Sequence, residues 1–200
     1  MTYAIIGAGN VGRALAKAFA RKGIEVVLAS RRPPEELAPI AKAIGPTIIP
    51  KSLRDAVKAE IVLLAVPFNT YQDVAKAAEG WKGKTVIDAT NAYGVSPEKL
   101  GNRPSSAVIA EALPGAGLVK AFNHLPAKVL EEDPDTGSGR RVLFLSSDDD
   151  KATGRVADLV KQLGFAPVGL GKLAEGGLLI QARGNSWAQL IFQDLFKRSE

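Results

Sequence analysis

The chain has 200 residues, of which 46% are hydrophobic, and a formal net charge of +5. This length fits one large domain, or one domain with a short appendage, and supplies enough apolar residues for a sizeable core. The absence of cysteine excludes disulfides, thiolate catalysis and cysteine zinc sites, and a single histidine, His124, argues against a histidine metal cluster or a Ser-His-Asp triad.

No apolar run approaches the ~20 residues of a membrane span. The first predicted strand begins at Thr2, which leaves no room for a signal peptide. We therefore expect a cytoplasmic protein that contacts no membrane. No lysine and arginine run and no RNA-reading aromatic motif accompanies the positive charge, so we expect no nucleic-acid partner. Affinity for an anionic cofactor explains the charge at least as well.

The chain opens with a predicted strand, a glycine-rich turn and a helix. Residues 2–6 form a short apolar run typical of a strand buried on both faces. Gly7-Ala8-Gly9-Asn10-Val11-Gly12 follows and matches G-x-G-x-x-G, and apolar residues then recur at helical spacing. We expect Gly23 to end this helix and residues 24–29 to form the second strand.

Strands and helices continue to alternate along the chain. Further strands are predicted over 47–49, 61–66, 85–89, 118–122, 142–145 and 166–168, and helices over 35–44, 51–59, 69–79, 105–113 and 151–163. This alternation predicts an α/β fold, a doubly wound and mainly parallel Rossmann sheet over residues 1–170. After Leu173 only helices are predicted, so residues 171–200 are expected to form a short C-terminal helical extension.

An apolar stripe at helical spacing marks this extension; it comprises Trp187, Leu190, Ile191 and Leu195, with Phe192 and Phe196 beside it. The stripe is broader than a thin terminal helix should expose. It predicts either the contact of a homodimer or packing of the helix back on its own domain. The extension is also a candidate wall for a substrate pocket.

Each glycine of the opening motif has an expected role. Gly7 permits the tight turn, Gly9 lets the backbone approach a pyrophosphate, and Gly12 lets the helix pack closely on the strand. The pyrophosphate would rest on the amides at the helix N-terminus, around Asn10 and Val11, where the helix dipole favours anions. The motif therefore predicts a dinucleotide-binding site.

The second strand ends in Ser30-Arg31-Arg32, where dinucleotide-binding units normally carry an acidic residue for the ribose hydroxyls. A carboxylate would repel a 2′-phosphate, whereas guanidinium groups match its oxygens in charge and geometry. These residues predict NADP(H) as the cofactor. The alternative is a solvated basic turn ahead of two prolines.

Other segments at strand ends are expected to meet at the sheet edge where open α/β sheets bind ligands. Ala65-Val66-Pro67 and Asn91 are expected to hold the cofactor. Phe68 offers either an aromatic face to the ligand or core packing, and asparagines either bind ribose and carboxamide groups or satisfy turns. The expected substrate pocket consists of Phe68, Tyr93, Asn123, His124, Leu125 and Pro126.

Two features invite catalytic or metal roles. His124 is a candidate proton donor near neutral pH, with a capping or packing role as the alternative. Asp148-Asp149-Asp150 stands immediately before the predicted helix 151–163, where carboxylates cap amides and complement the dipole. We expect a helix cap there and no metal site.

Together these motifs resemble the NADPH-dependent reductases of the deazaflavin coenzyme F420 and the related nucleotide domain of the STEAP ferric reductases. The resembling segments are IGAGNVG (6–12), ASRR (29–32), AVP (65–67), KAFNHLPA (120–127) and SDDD (147–150). The resemblance implies direct hydride transfer between NADPH and a flavin-like ring bound over the nicotinamide. It implies that Ser30, Arg31 and Arg32 hold the 2′-phosphate and that residues 123–126 border the acceptor.

Two departures lie near the expected acceptor. His124 stands where the family commonly has threonine, and segment 88–93 lacks the proline expected after its asparagine. The acceptor therefore stays open among a deazaflavin, a flavin, a quinone and a metal chelate.

The sequence supports an NADP-dependent oxidoreductase with a flavin-like acceptor, because hydride transfer between two rings needs proximity and exclusion of water more than a side-chain acid. One alternative is an imine or keto-acid reductase, although the short segment after Gly171 leaves no room for the long helical domain that completes such sites. The other is a non-catalytic NADPH sensor or binding module, whose acceptor pocket would be closed.

Overall fold

The computed structural model of the chain describes residues 1–182 and 195–198. Its strands are β1 (Tyr3–Ile6), β2 (Val26–Ala29), β3 (Ile48–Pro50), β4 (Ile61–Leu64), β5 (Thr85–Asp88), β6 (Gly117–Lys120), β7 (Arg140–Ser147), β8 (Ala166–Gly169) and β9 (Phe196–Lys197). Its helices are α1 (Asn10–Arg21), α2 (Pro34–Ile44), α3 (Leu53–Ala56), α4 (Tyr71–Ala77), α5 (Ser105–Glu111), α6 (Ala127–Glu131), α7 (Asp150–Gln162) and α8 (Leu178–Ile180). No helix within these ranges combines the length and the apolar character needed to cross a bilayer.

The strands form one sheet in the order β3-β2-β1-β4-β5-β6-β7-β8, with β9 beside β7. Pairing is parallel from β3 through to β6 and again between β7 and β8, whereas β7 runs antiparallel to β6 and to β9. After β1 the chain places β2 and β3 on one side of that strand, and then crosses over to place β4, β5 and β6 on its other side. This switch in strand order opens a crevice beyond the carboxyl ends of β1 and β4. The predicted doubly wound, mainly parallel sheet is confirmed.

Helices cover both faces of the sheet, which is why the central strands are apolar throughout. All four residues of β1 are buried. Ile5 packs into the layer that contains α1 and α7, whereas Ala4 and Ile6 pack into the opposite layer with α4 and α5. Because side chains alternate across a strand, each layer receives every second residue.

Helix ends follow their local sequence signals. Gly23 adopts a φ of +66° just after α1, as a C′ glycine does. The Asp149 carboxylate accepts hydrogen bonds from the amides of Lys151 and Ala152, at 2.9 and 3.0 Å, so it caps α7 as predicted. The Asp148 carboxylate instead accepts from the Leu173 amide at 3.2 Å.

The C-terminal part differs from the sequence-based expectation. The prediction of helices alone after Leu173 is wrong, because Phe196–Lys197 forms β9 against the start of β7. A two-residue strand is too short to show an alternating pattern in sequence. Of the predicted apolar stripe, Trp187, Leu190, Ile191 and Phe192 lie outside the described residues, while Leu195 and Phe196 are 40% and 39% exposed.

Candidate cofactor and acceptor site

The loop between β1 and α1 separates the roles of its three glycines. Gly7 has a φ of +118°, and a Cβ there would overlap the Ala65 carbonyl group. A Cβ on Gly12 would lie 2.8 Å from the carbonyl carbon of Gly7 and closer still to its oxygen. Gly9, in contrast, has nothing within 4 Å of a built Cβ. The fold itself therefore requires glycine at positions 7 and 12, whereas the space beside Gly9 is free for a ligand.

The N-terminus of α1 faces this free space. Gly9 is its N-cap, no side chain caps the helix, and its first turn contains no acidic residue. The first amides of an α-helix lack partners within the helix and carry the positive end of the dipole. The Arg13 side chain donates from Nε to the Ala8 carbonyl at 2.9 Å, which holds the loop. These features suit the binding of a phosphate group.

One half of the crevice extends from this loop to the turn after β2. It has a volume of about 320 Å³ and is lined by Ile6, Gly7, Ala8, Gly9, Ser30, Arg31, Arg32, Leu53, Ala65, Val66, Pro67, Thr70, Asp73 and Val74. The Ser30 hydroxyl accepts a hydrogen bond from the Arg32 amide at 3.0 Å, which fixes the turn. Both guanidinium groups are exposed, and neither forms an ion pair within the described residues.

Besides Ile6 and Ala8 of the predicted strand and turn, this half is lined by four residues that the sequence did not indicate: Leu53, Thr70, Asp73 and Val74. They lie at or near the starts of α3 and α4, which follow β3 and β4 at the carboxyl edge of the sheet. That position relative to the strands is the signal that would have indicated them.

The other half of the crevice lies on the far side of the same loop. It also has a volume of about 320 Å³ and is lined by Gly9, Asn10, Val11, Ala65, Val66, Pro67, Ala89, Thr90, Asn91, Tyr93, Phe122, Asn123, Leu125, Pro126 and Ala127. The two halves share Gly9 and Ala65-Val66-Pro67. A single elongated ligand can therefore cross the glycine loop and reach both, within the size range of small-molecule sites.

Asn91 and Asn123 join the two loops that form the outer half. The side-chain amide of Asn91 donates from Nδ2 to the backbone carbonyl of Asn123 at 2.8 Å, and the side-chain amide of Asn123 donates from Nδ2 to Asn91 Oδ1 at 3.1 Å. Asn123 Nδ2 also donates to the Ile180 carbonyl at 2.9 Å, and the Ala182 amide donates to Asn91 Oδ1 at 3.2 Å. The two asparagine side chains thus anchor the end of α8, from Ile180 to Ala182, at the rim of the crevice.

Two of the predicted pocket residues lie outside both linings. Phe68 packs against Tyr71 with ring centroids 5.3 Å apart. His124 is fully buried beside Phe144, with centroids 5.3 Å apart. Burial, assisted by the Lys120 charge, lowers the pKa of His124 to about 4. Its imidazole is therefore neutral at pH 7 and is directed away from the crevice.

The turn that carries Asn123 is strained. Phe122, directly before it, has a φ of +64° and is fully buried, with its ring edge-on to Phe165. A bulky residue in the left-handed region is held there only when its surroundings enforce it. This conformation turns the chain from β6 into the crevice wall, which no sequence pattern indicates.

The matching family model and the curated relatives are oxidoreductases. The family model described as NADP oxidoreductase, coenzyme F420-dependent, matches residues 2–92, a range that includes the glycine loop, Ser30-Arg31-Arg32 and Asn91. Metalloreductase STEAP3 of Rattus norvegicus is 29% identical over 173 residues, which are 85% of this chain and 34% of that protein. Metalloreductase STEAP2 of Mus musculus is 27% identical over 176 residues. The chain spans about a third of the length of these relatives.

Solved structures extend the similarity over the rest of the chain. A hypothetical protein from Sinorhizobium meliloti is 41% identical, with a TM-score of 0.89 over 100% of this chain and 96% of that one. A candidate F420-dependent NADP reductase from Arthrobacter sp. FB24 is 26% identical, with a TM-score of 0.70 over 90% of each chain. A reductive aminase from Aspergillus terreus shares the fold, at 17% identity and a TM-score of 0.63 over 96% of this chain and 58% of that one.

Proposed function

Since residues 2–92 match the family model of coenzyme F420-dependent NADP oxidoreductases and the similarity to STEAP metalloreductases covers 85% of the chain, we propose that the protein transfers hydride between NADPH and a flat, flavin-like acceptor. Its assignment as an NADP-dependent oxidoreductase, with NADP(H) as the cofactor, agrees with the prediction from the sequence. The observation that carries the proposal is a pair of adjoining cavities that share Gly9 and Ala65-Val66-Pro67: one contains the two-arginine turn, and the other is the outer half beyond the uncapped N-terminus of α1. When bound, NADPH supplies the hydride.

Three groups of residues would bind different parts of the cofactor. The arginines of Ser30-Arg31-Arg32 are positioned to bind the 2′-phosphate through charge-assisted hydrogen bonds. The amides of Asn10, Val11 and Gly12 form the first turn of α1, after the N-cap Gly9, and would hold the pyrophosphate in the free space beside Gly9. Ala65-Val66-Pro67 lines both halves and would separate the adenosine end from the nicotinamide end.

The acceptor would lie in the outer half, against Tyr93, Leu125 and Pro126. Tyr93 is 50% exposed and offers an aromatic surface, while the other two residues supply an apolar wall that limits water. The acceptor ring gains two electrons and one proton as hydride and takes a second proton from water, leaving NADP⁺ and the reduced acceptor. This chemistry asks the protein for alignment of two rings rather than for an acid.

The lining of the outer half supports this choice over imine or keto-acid reduction. Those reactions need a group that protonates a developing charge. Among the described residues that line this half, none is aspartate, glutamate, histidine or lysine, and the phenol of Tyr93 is the one candidate acid. His124, the candidate donor, is buried outside the lining.

We also propose that residues 171–200 form an extension that borders the acceptor. The end of α8 is tied to the outer half, because the Ile180 carbonyl accepts a hydrogen bond from the Asn123 side chain and the Ala182 amide donates one to Asn91 Oδ1. A cytoplasmic location and a homodimer belong to the same proposal, the latter supported by the exposure of Leu195 and Phe196. Light scattering at micromolar concentration tests the dimer, and a purely monomeric mass contradicts it.

The substrate class is tested by mixing the protein with NADPH and one acceptor at a time, and by following the loss of NADPH absorbance. The panel contains the deazaflavin, flavins, quinones and ferric chelates with and without added flavin. We expect turnover with the deazaflavin or a flavin. Reduction of a chelate only when flavin is present would place the metal downstream of the flavin, in keeping with the metalloreductase relatives. Tight NADPH binding with no turnover on any acceptor would instead indicate a sensor.

A further inference from the structure

A buried ion pair lies beneath the outer half of the crevice. Asp88 ends β5, Lys120 ends β6, and the two are register partners in the sheet. Both side chains are fully buried, and Lys120 Nζ lies 3.0 Å from Asp88 Oδ2. The Ser106 hydroxyl, from α5, donates to the same carboxylate oxygen at 2.5 Å. Neither charged residue lines the crevice.

Stability alone is a weak reason to keep such a pair. Both ions lose their hydration on burial, and well-packed apolar side chains of similar volume often stabilise a protein as well or better. The sequence offers no spacing that connects these two residues, since they are separated by the whole of α5. The role of the pair is therefore better inferred from the groups that it hydrogen-bonds in the folded chain than from the attraction between its two charges.

The pair holds one residue of the crevice wall by both of its backbone groups. The Thr90 amide donates to Asp88 Oδ1 at 2.9 Å, and the Thr90 carbonyl accepts from Lys120 Nζ at 2.9 Å. Thr90 itself lines the outer half. The next residue, Asn91, is bonded to Asn123 on the opposite loop. Any shift of Thr90 is thus passed directly to both walls of the pocket.

We infer that Asp88 and Lys120 are a positioning pair for the hydride acceptor. They fix loop 89–93 against the glycine loop and so set the separation between the nicotinamide and the acceptor ring. This role rests on the proposed function, in which alignment is the main source of catalysis. A misplacement of about 1 Å costs such reactions about 10²-fold in rate. The 2′-phosphate and pyrophosphate sites lie on other strands, so NADPH affinity, which depends chiefly on those charge-assisted contacts, should change little.

Three variants separate positioning from stability. Lys120→Met removes the donor to Thr90 and leaves Asp88 unpaired; Asp88→Asn combined with Lys120→Met removes both charges. Lys84→Met is the matched control, because Lys84 also donates to two backbone carbonyls, those of Lys58 and Ala59, both at 3.1 Å, but at the opposite edge of the sheet. We expect the double variant to melt near the wild-type temperature, to bind NADPH with unchanged Kd, and to lose 10- to 100-fold in kcat with the best acceptor of the panel.

Restoring the ammonium group provides the complementary test. The protein has no cysteine, so the thiol of Lys120→Cys can be alkylated selectively in the unfolded chain, which is then refolded. Alkylation with 2-bromoethylamine rebuilds a lysine-like side chain, whereas an uncharged alkyl group of equal length fills the same volume. We expect the amine alone to recover kcat to within about threefold of wild type, the range of context-dependent effects for a rebuilt contact.

Hydrogen exchange of peptide 89–95 gives a readout that does not depend on turnover. We expect faster exchange in Lys120→Met and in the double variant than in wild type or Lys84→Met. If wild type transfers hydride from NADPH to none of the acceptors in the panel, the proposed function fails, while faster exchange in the variants still supports positioning of the loop. Wild-type kcat and wild-type exchange in a stable double variant would overturn the inference, as would equal recovery with the uncharged alkyl group.

Discussion

Gly9 and Gly12 lie three positions apart, and replacement by alanine should have a different effect at each. At Gly12 we expect a loss of stability, and at Gly9 a loss of NADPH affinity. At Gly12 the new methyl group would lie 2.8 Å from the Gly7 carbonyl carbon, so α1 must move away from β1. Overpacking of this kind costs about 1–3 kcal/mol, and more where the obstacle is backbone. For a chain of this size, a loss of about 3 kcal/mol lowers Tm by roughly 6–12 °C.

At Gly9 the same methyl group meets nothing within 4 Å, and the residue has a φ of −80°, which alanine adopts freely. Stability should stay within about 0.5 kcal/mol of wild type. The methyl group would, however, occupy the space in front of the α1 amides. We expect NADPH to bind at least tenfold more weakly, which is about 1.4 kcal/mol.

Thermal melts of the unliganded variants and NADPH titrations by fluorescence measure the two effects separately. Gly12→Ala should show a lower Tm in the melt, whereas Gly9→Ala should keep the wild-type Tm and show only weaker NADPH binding in the titration. Wild-type NADPH affinity in Gly9→Ala would refute the placement of the pyrophosphate at this helix N-terminus. A wild-type Tm in Gly12→Ala would refute the close packing of α1 on β1.

Three further predictions concern the arginine turn, the buried His124 and the exposed Tyr93. Replacing Arg31 and Arg32 together by alanine should weaken NADPH binding at least tenfold and leave NADH nearly unchanged, because a charge-assisted phosphate contact contributes about 1.5–3 kcal/mol; equal losses for both nucleotides in titrations would count against it. The pKa of His124 falls from 6.5 in the unfolded chain to about 4 in the fold, so stability is full above the higher value and declines as pH falls toward the lower one. Urea unfolding should show a loss of about 2 kcal/mol between pH 7 and pH 5. His124→Leu should flatten that decline and keep turnover at pH 7 within about tenfold, whereas a loss of 10²-fold or more would make the histidine a general acid. Tyr93→Ala should raise the acceptor KM about 2- to 10-fold through lost ring contact and leave NADPH affinity unchanged in the same titrations; an unchanged KM would remove Tyr93 from the acceptor site.

Much of the nucleotide half could be predicted from sequence because its determinants are local. A glycine turn, a buried strand and a following helix are encoded within residues 2–21, and Ser30-Arg31-Arg32 directly follows the next strand. Such short-range patterns keep their meaning wherever the unit is placed. The family resemblance likewise depends on short continuous segments, of which 6–12 and 29–32 belong to this half.

The acceptor half was less accessible because long-range packing decides it. The sequence places His124 beside Asn123, but the left-handed Phe122 sends the asparagine into the crevice wall and the imidazole into the core. Asp88 and Lys120 meet only because their strands are neighbours. Likewise, β9 exists through pairing with β7, and its two residues carry no strand pattern of their own.

The central claim is that hydride passes directly from NADPH to a ring held in the outer half of the crevice. The most direct measurement uses NADPH that carries deuterium on one face of the transferable nicotinamide position, with the deazaflavin as acceptor and mass spectrometry of the product. We expect label from only one of the two faces to appear in the reduced deazaflavin. The charge-free Asp88→Asn, Lys120→Met variant should form this product about 10- to 100-fold more slowly than wild type. Oxidation of NADPH without label in the acceptor, or label from both faces equally, would contradict direct transfer in this site.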